Sequence, residues 1–277
     1  MVKLFQYLYF SLLVLSSISL IEANVDPIEG RYSFSLTTFS PSGKLPQLEH
    51  AIKASTLGPP IIGISLPHRN EILLASIQTL PSPLMNDDGT SRFVKISKSI
   101  LMGHTGVNAD GRVLCEAAQR LSVEHTYTFN EEIPVNVLLE EMALLFQQYT
   151  MKPGCRPFGS CLIVASVNRA DVDENGCCLF RIDPAGTVTK LDSVVFAGRG
   201  NRQKVVDDII DSGCVNTNNI DESEKILAKI LRNEYGHNKK LSDINRRGDR
   251  DRNIGSELME SPSLVFAKLS GVKKDLP

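Results

Sequence analysis

The sequence predicts an α+β fold in which a sandwich of sheets is flanked by helix pairs. Three observations point there. Short apolar runs and helical stretches follow one another in blocks, as strands, two helices, strands, two helices, which suits segregated layers better than a doubly wound parallel sheet. Turn chemistry joins neighbouring apolar runs inside a block, as expected of hairpins. The chain has 277 residues, 42% of them hydrophobic, enough for one substantial core and a single domain over residues 24–277.

Each element has its own warrant. Ser40-Pro41-Ser42-Gly43 is a turn, because Pro41 presets φ and Gly43 accepts positive φ. Leu45, Leu48 and Ile52 recur at helical spacing behind it, so a helix is expected from Pro46, whose missing N–H costs little in a first turn. PPIIGISL (59–66) and EILLASIQ (71–78) read as a hairpin around Pro67-His68-Arg69-Asn70, and SILMGHTG (99–106) as a further strand. From Asn108 a long helix is expected, with Val113, Leu114, Ala117, Ala118 and Leu121 on one face. Pro134 opens a second helix with the stripe Leu138, Met142, Leu145 and Phe146. After the break KPGCRPFGS (152–160), CLIVASV, CCLFRID and TVTKLD read as strands, with a turn at Asn175-Gly176. VVDDIIDSG and ESEKILAKILRNEY read as helices. The charged run 236–260 reads as a mobile surface loop, and Ser263 to Leu269 as a last strand.

Composition and motifs exclude several chemistries. A formal net charge of −2 gives no global basic field, so no nucleic-acid partner is implied. The alternating signs of Arg246 to Arg252 read as a solvated loop. The six cysteines have neither C-x-x-C spacing nor scaffold density, and most are expected as core fillers. Asp171-x-Asp173-x-Asn175-Gly176 opens like a calcium loop, but its ninth and twelfth positions are Leu179 and Ile182, which carry no carboxylate. The five histidines are scattered without metal spacing, so neither a metal nor a cofactor is expected. No serine elbow, P-loop or dinucleotide fingerprint is present; Gly198-Arg199-Gly200 reads as a tight strand-to-helix turn. Residues 1–23, with Lys3 ahead of an uncharged apolar run reaching Ile21, have the grammar of a signal peptide, with an anchor or a misplaced start as alternatives.

Several stretches together resemble one family. Tyr32-Ser33-Phe34-Ser35-Leu36-Thr37-Thr38-Phe39-Ser40-Pro41-Ser42-Gly43-Lys44 with Gln47-Leu48-Glu49, then Gln148-Tyr149-Thr150 and Arg156-Pro157-Phe158-Gly159, then Asp183-Pro184-Ala185-Gly186-Thr187, look like the α-type subunits of the 20S proteasome. The first stretch is nearest in wording to the type-2 class. The likeness covers about residues 31–212, and the tail after 236 departs most.

The resemblance implies the four-layer αββα sandwich of N-terminal-nucleophile hydrolases, here without catalysis. Catalytic relatives in the family use a processed N-terminal threonine with an acid and a lysine. Those positions fall on Pro59, Ser76 and Arg92, none of which can serve the chemistry; arginine stays protonated and cannot act as a base. The resemblance further implies a seven-membered ring of α-type subunits, β-type subunits as neighbours, and docking of activator C-terminal tails, with Arg92 as the tail-pocket cation. Gating contacts are implied for Tyr32, Pro41 and His50, the last a departure from the family's tyrosine. Cytoplasm and nucleus are the implied locations, whereas the leader-like segment points to ER import or a plastid-related compartment. Two alternatives stand beside this reading: a diverged secreted or organellar binding protein on the same fold, and a processed N-terminal-nucleophile hydrolase.

Overall fold

The structure, a computed structural model, describes residues 35–66, 70–78, 92–152, 154–167, 176–216, 220–246 and 263–270. Its elements run α1 (Pro46–Thr56), β1 (Ile61–Leu66), β2 (Glu71–Gln78), β3 (Phe93–Lys95), β4 (Ile100–Gly106), α2 (Asn108–Phe129), α3 (Val135–Met151), β5 (Ser160–Ser166), β6 (Cys178–Ile182), β7 (Val188–Leu191), β8 (Val194–Ala197), α4 (Arg202–Asp211), a 3₁₀ turn (Cys214–Asn216), α5 (Ile220–Arg246) and β9 (Ser263–Ser270). The strands form two antiparallel sheets, in the orders β8-β1-β2-β9 and β3-β4-β5-β6-β7.

Three buried clusters define four layers. Between the sheets lie Ile61, Ile72, Leu74, Leu101, Ile163 and Leu179. Between the five-stranded sheet and α2 and α3 lie Met102, Leu114, Leu138, Met142, Phe146 and Val164. Between the four-stranded sheet and α4 and α5 lie Ile62, Ile64, Leu73, Val205, Ile209 and Leu227. Successive residues of one strand therefore enter different clusters, as Ile61 and Ile62 do, because side chains alternate across a strand. With both faces covered, the inner strands β1, β2, β4, β5 and β6 are apolar at most positions, whereas the edge strand β7 is largely exposed. That is why the inner strands read as hydrophobic runs.

The structure refines several sequence expectations. β1 starts at Ile61, since neither Pro59 nor Pro60 has an N–H to give to a ladder. β3 and β8, of three and four residues, carry too few side chains for a periodic signal; β3 is not anticipated, and β8 only as the undelimited strand leading into the turn at Gly198. On α2, Leu114, Ala118 and the half-buried Leu121 face the core, whereas Val113 is 49% exposed. Adjacent residues lie about 100° apart on a helix, so Val113 and Leu114 cannot share a narrow face. α3 buries Leu138, Met142 and Phe146 as expected. The expected surface loop at 236–260 is corrected over its first part, where α5 continues as helix to Arg246. Extending a formed helix costs far less than nucleating one, and Lys239, Lys240 and Leu241 are good helix formers. The rest of that run, residues 1–23, and Asp171, Asp173 and Asn175 lie outside the described residues.

Candidate functional site

The sequence places its candidate chemistry at the head of β1, and the structure shows what surrounds that point. Ser76 of β2 lies opposite Ile61 in the β1–β2 register and is fully buried. Its hydroxyl donates to the Pro60 carbonyl at 3.0 Å. Thr105 of β4, from the other sheet, donates its hydroxyl to the Pro59 carbonyl at 2.6 Å. The Arg199 N–H donates to the Gly58 carbonyl at 2.8 Å, tying the β8–α4 turn to the same point. Two hydroxyls at this head thus give their hydrogens to backbone carbonyls. Pro59 is a tertiary amide within a continuous chain, so it has neither a nucleophilic oxygen nor a free amine.

Arg92 flanks β3 in the second sheet, where its carbonyl accepts the His104 N–H at 3.2 Å. Its Nε and Nη1 are shielded from solvent and have no hydrogen-bond partner among the described residues. Burial lowers its pKa from the ordinary value, yet a guanidinium is so strongly basic that it stays a cation. Pro59 and Ser76 are thus brought together, and Arg92 stands on the opposing sheet.

α1 covers the same end of the sandwich. Its Ser55 Cα presses against Gly106 at the end of β4, and its Ala54 methyl against Gly159 just before β5. The helix buries Ala51 and Ser55, with Leu48 and Ile52 half-buried beside them. The preceding turn forms as expected: the Gly43 N–H donates to the Ser40 carbonyl at 2.8 Å, and Gly43 has φ of 76°. Pro41 and His50 are both exposed, on the turn and on α1, while Tyr32 lies outside the described residues.

A second polar cluster, which sequence spacing does not reveal, fastens the first turn of α2. Arg156 binds Asp110 through Nη1–Oδ2 at 2.6 Å and Nη2–Oδ1 at 2.7 Å, a bidentate pair. Asp110 also accepts the Gly159 N–H at 2.9 Å, and the Ser160 hydroxyl donates to the Val107 carbonyl at 2.6 Å. Burial alone would push the Asp110 pKa up, but the Arg156 guanidinium and the Gly159 N–H outweigh it and hold the carboxyl below its ordinary value. Arg156 and Asp110 are 46 residues apart, so no motif links them.

One more arrangement invites a catalytic reading. His104 Nε2 lies 3.0 Å from Asn108 Oδ1, and Cys115 Sγ lies 3.7 Å from His104 Nδ1. These are the residue types of a cysteine–histidine–asparagine triad. Cys115, however, is 2% exposed, and burial pushes its thiol up to about 12, so neither the thiolate nor substrate access is supplied. Cys161 and Cys177 are likewise raised, to about 12 and about 11, as inert core thiols. Among the described residues, no group of three His, Cys, Asp or Glu side chains is placed to hold a metal ion.

Comparison with known proteins gives a consistent result. The family model for the proteasome subunit matches residues 57–243, and the model for the N-terminal signature of A-type proteasome subunits matches residues 32–54. The chain is 36% identical over 159 residues to the alpha type-2 proteasome subunit of Oryza sativa subsp. indica, covering 57% of this chain and 65% of that protein. It is 38% identical over 160 residues to the alpha type-2 protein of Dictyostelium discoideum, covering 58% and 66%. The alpha type-2 protein of Drosophila melanogaster is 38% identical over 156 residues, covering 56% and 64%. The matched stretch thus spans slightly less than two thirds of each of these curated relatives.

Proposed function

Because the chain belongs to the proteasome subunit family, we propose that it is a non-catalytic α-type subunit of the outer ring of the 20S proteasome, contributing structure and gating. The observation that carries this reading is the head of β1. Where the fold's catalytic members need a free N-terminal nucleophile, this chain has Pro59 within a continuous backbone, with the Thr105 hydroxyl donating to its carbonyl. The N-terminal signature covers α1 and the turn before it, and α1 packs against Gly106 and Gly159 on the side of the five-stranded sheet.

The surface supports a subunit that meets neighbours. α2 exposes Val113, Val123, Tyr127 and Phe129, and α3 exposes Val137, Leu144 and Met151. On this reading, these exposed side chains would be buried against neighbouring subunits. The partners on this reading are other α-type subunits in a seven-membered ring, β-type subunits, and the C-terminal tails of activators. Arg92 as the tail contact requires its guanidinium to reach the pocket wall although Nε and Nη1 are shielded; unchanged activator binding in Arg92→Ala would remove it from that role. Gating contacts of Tyr32, Pro41 and His50, and location in cytoplasm and nucleus, belong to the same proposal. Fractionation and N-terminal sequencing of the native protein test the location and the fate of residues 1–23.

Affinity isolation of the full chain tests the assignment. Recovery of stoichiometric α- and β-type proteasome subunits is expected, and recovery of the chain alone from a secretory compartment would overturn it.

A further inference from the structure

His104 lies on β4 with 4% of its surface exposed, directly opposite Leu162 of β5. Its ring lies against Gly111 of α2 so closely that a Cβ there would overlap the imidazole; only glycine lets the helix approach. The partners fix the tautomer. Asn108 Oδ1 can only accept, so with its amide in this orientation Nε2 must carry the hydrogen. Nδ1 then bears a lone pair that can accept the Cys115 S–H at 3.7 Å. A neutral imidazole is satisfied on both sides.

An imidazolium would not be. Its new Nδ1–H would meet sulfur, which is only a weak acceptor, and its charge would be enclosed in a nearly dry site. The charged and titratable groups that face it have been placed: Arg92 from the β3 flank, a cation, and Cys115 from α2, held as the neutral thiol. Leu162 on β5 carries no charge, and Asp110, on the first turn of α2, is engaged by Arg156 and Gly159.

We propose that His104 is an acid-sensitive latch, whose neutral imidazole ties the first turn of α2 to β4 and whose protonation frees that turn. Burial, the leading effect, lowers the affinity of His104 for a proton; the Asn108 bond opposes this and the Arg92 charge adds to it. The folded state thus binds this proton less readily than the unfolded chain. The contribution to stability is full above the ordinary histidine value of 6.5 and is lost as pH falls below it toward the folded value. The same turn carries Asp110, which holds the Gly159 N–H, and Gly159 lies against the Ala54 methyl of α1, so release of the turn loosens the seat of α1. The latch belongs to the folded chain itself and does not depend on assembly into a proteasome.

Hydrogen exchange on the full chain tests it at two kinds of site. Exchange at the imidazole C2 position, followed by mass spectrometry against pH, is expected to give His104 a midpoint below that of a free histidine side chain. Amide exchange of residues 108–112, corrected for its intrinsic pH dependence, is expected to rise several-fold relative to α3 between pH 7 and pH 5. In His104→Phe that rise is expected to vanish. If that variant does not fold, the two wild-type measurements decide the matter alone. A midpoint at or above that of free histidine, or unchanged relative protection of the α2 turn, overturns the proposal.

Discussion

The head of β1 and the first turn of α2 are neighbouring polar regions held in opposite ways. At the head of β1, the Ser76 and Thr105 hydroxyls bind the Pro60 and Pro59 carbonyls, and no charged side chain makes any of these contacts. At the turn, a carboxylate meets a guanidinium bidentately and a buried imidazole bridges strand and helix. In the catalytic members of this fold, ionisable groups belong at the first of these places. Here they are spent at the second, where they fasten a helix and the seat of α1. The polar side chains at the head of β1 are tied into the backbone, whereas those at the α2 turn are tied to one another across elements.

The sharpest way to break this contrast is to return a charge to the first region. Ser76→Asp puts a carboxylate at a position with 0% exposure, where no cation contacts the hydroxyl it replaces. A loss of about 3–5 kcal/mol in urea denaturation is expected, as for other unpaired buried charges. Adding Pro59→Thr and Arg92→Lys is expected to give no peptide hydrolysis, since residue 59 would still lack a free amine.

Removing charge from the second region comes next in size. Asp110→Ala strands the buried Gly159 N–H and leaves Arg156 without its partner, for an expected loss of about 2–3 kcal/mol. Arg156→Ala is expected to cost less, about 1–2 kcal/mol, because its side chain is 65% exposed and water can replace part of the contact. If the two variants were equally destabilised, Arg156 rather than the buried Gly159 contact would be the main fastening.

pH sharpens the same point. Asp110 has a folded pKa below its ordinary value, so its contribution is full above the ordinary carboxylate range and is lost as pH falls through the folded value. Asp110→Asn is expected to flatten the acid limb of the stability curve relative to the wild type. The smallest effect is expected for Thr105→Val, about 1 kcal/mol for one hydroxyl donor lost from the Pro59 carbonyl, with no pH dependence.

Much of the fold was legible because its signals are local. Leu138, Met142 and Phe146 repeat at helical spacing, and the strands carry apolar residues on both faces. β3 was missed and β8 left without bounds because their three and four residues hold too little pattern, and α5 ran on because propagation outweighs a polar composition. The site divides in the same way. Pro59, Ser76 and Arg92 came from resemblance, position by position. Asp110 with Arg156 spans 46 residues, and His104 with Asn108 and Cys115 crosses a strand-to-helix junction. No single periodicity covers such a junction. The one hint was the four-residue step from His104 to Asn108, which acquires meaning only once strand and helix are folded together.

On the proposed function, this chain joins a proteasome ring uncleaved at the head of β1. Native mass spectrometry of the endogenous complex, followed by intact-mass analysis of the released chain, tests it most directly. The expected result is an assembly of α- and β-type subunits whose copy of this chain carries residues upstream of Pro59, α1 included. A chain beginning near residue 59, or one found outside any such assembly, would contradict it.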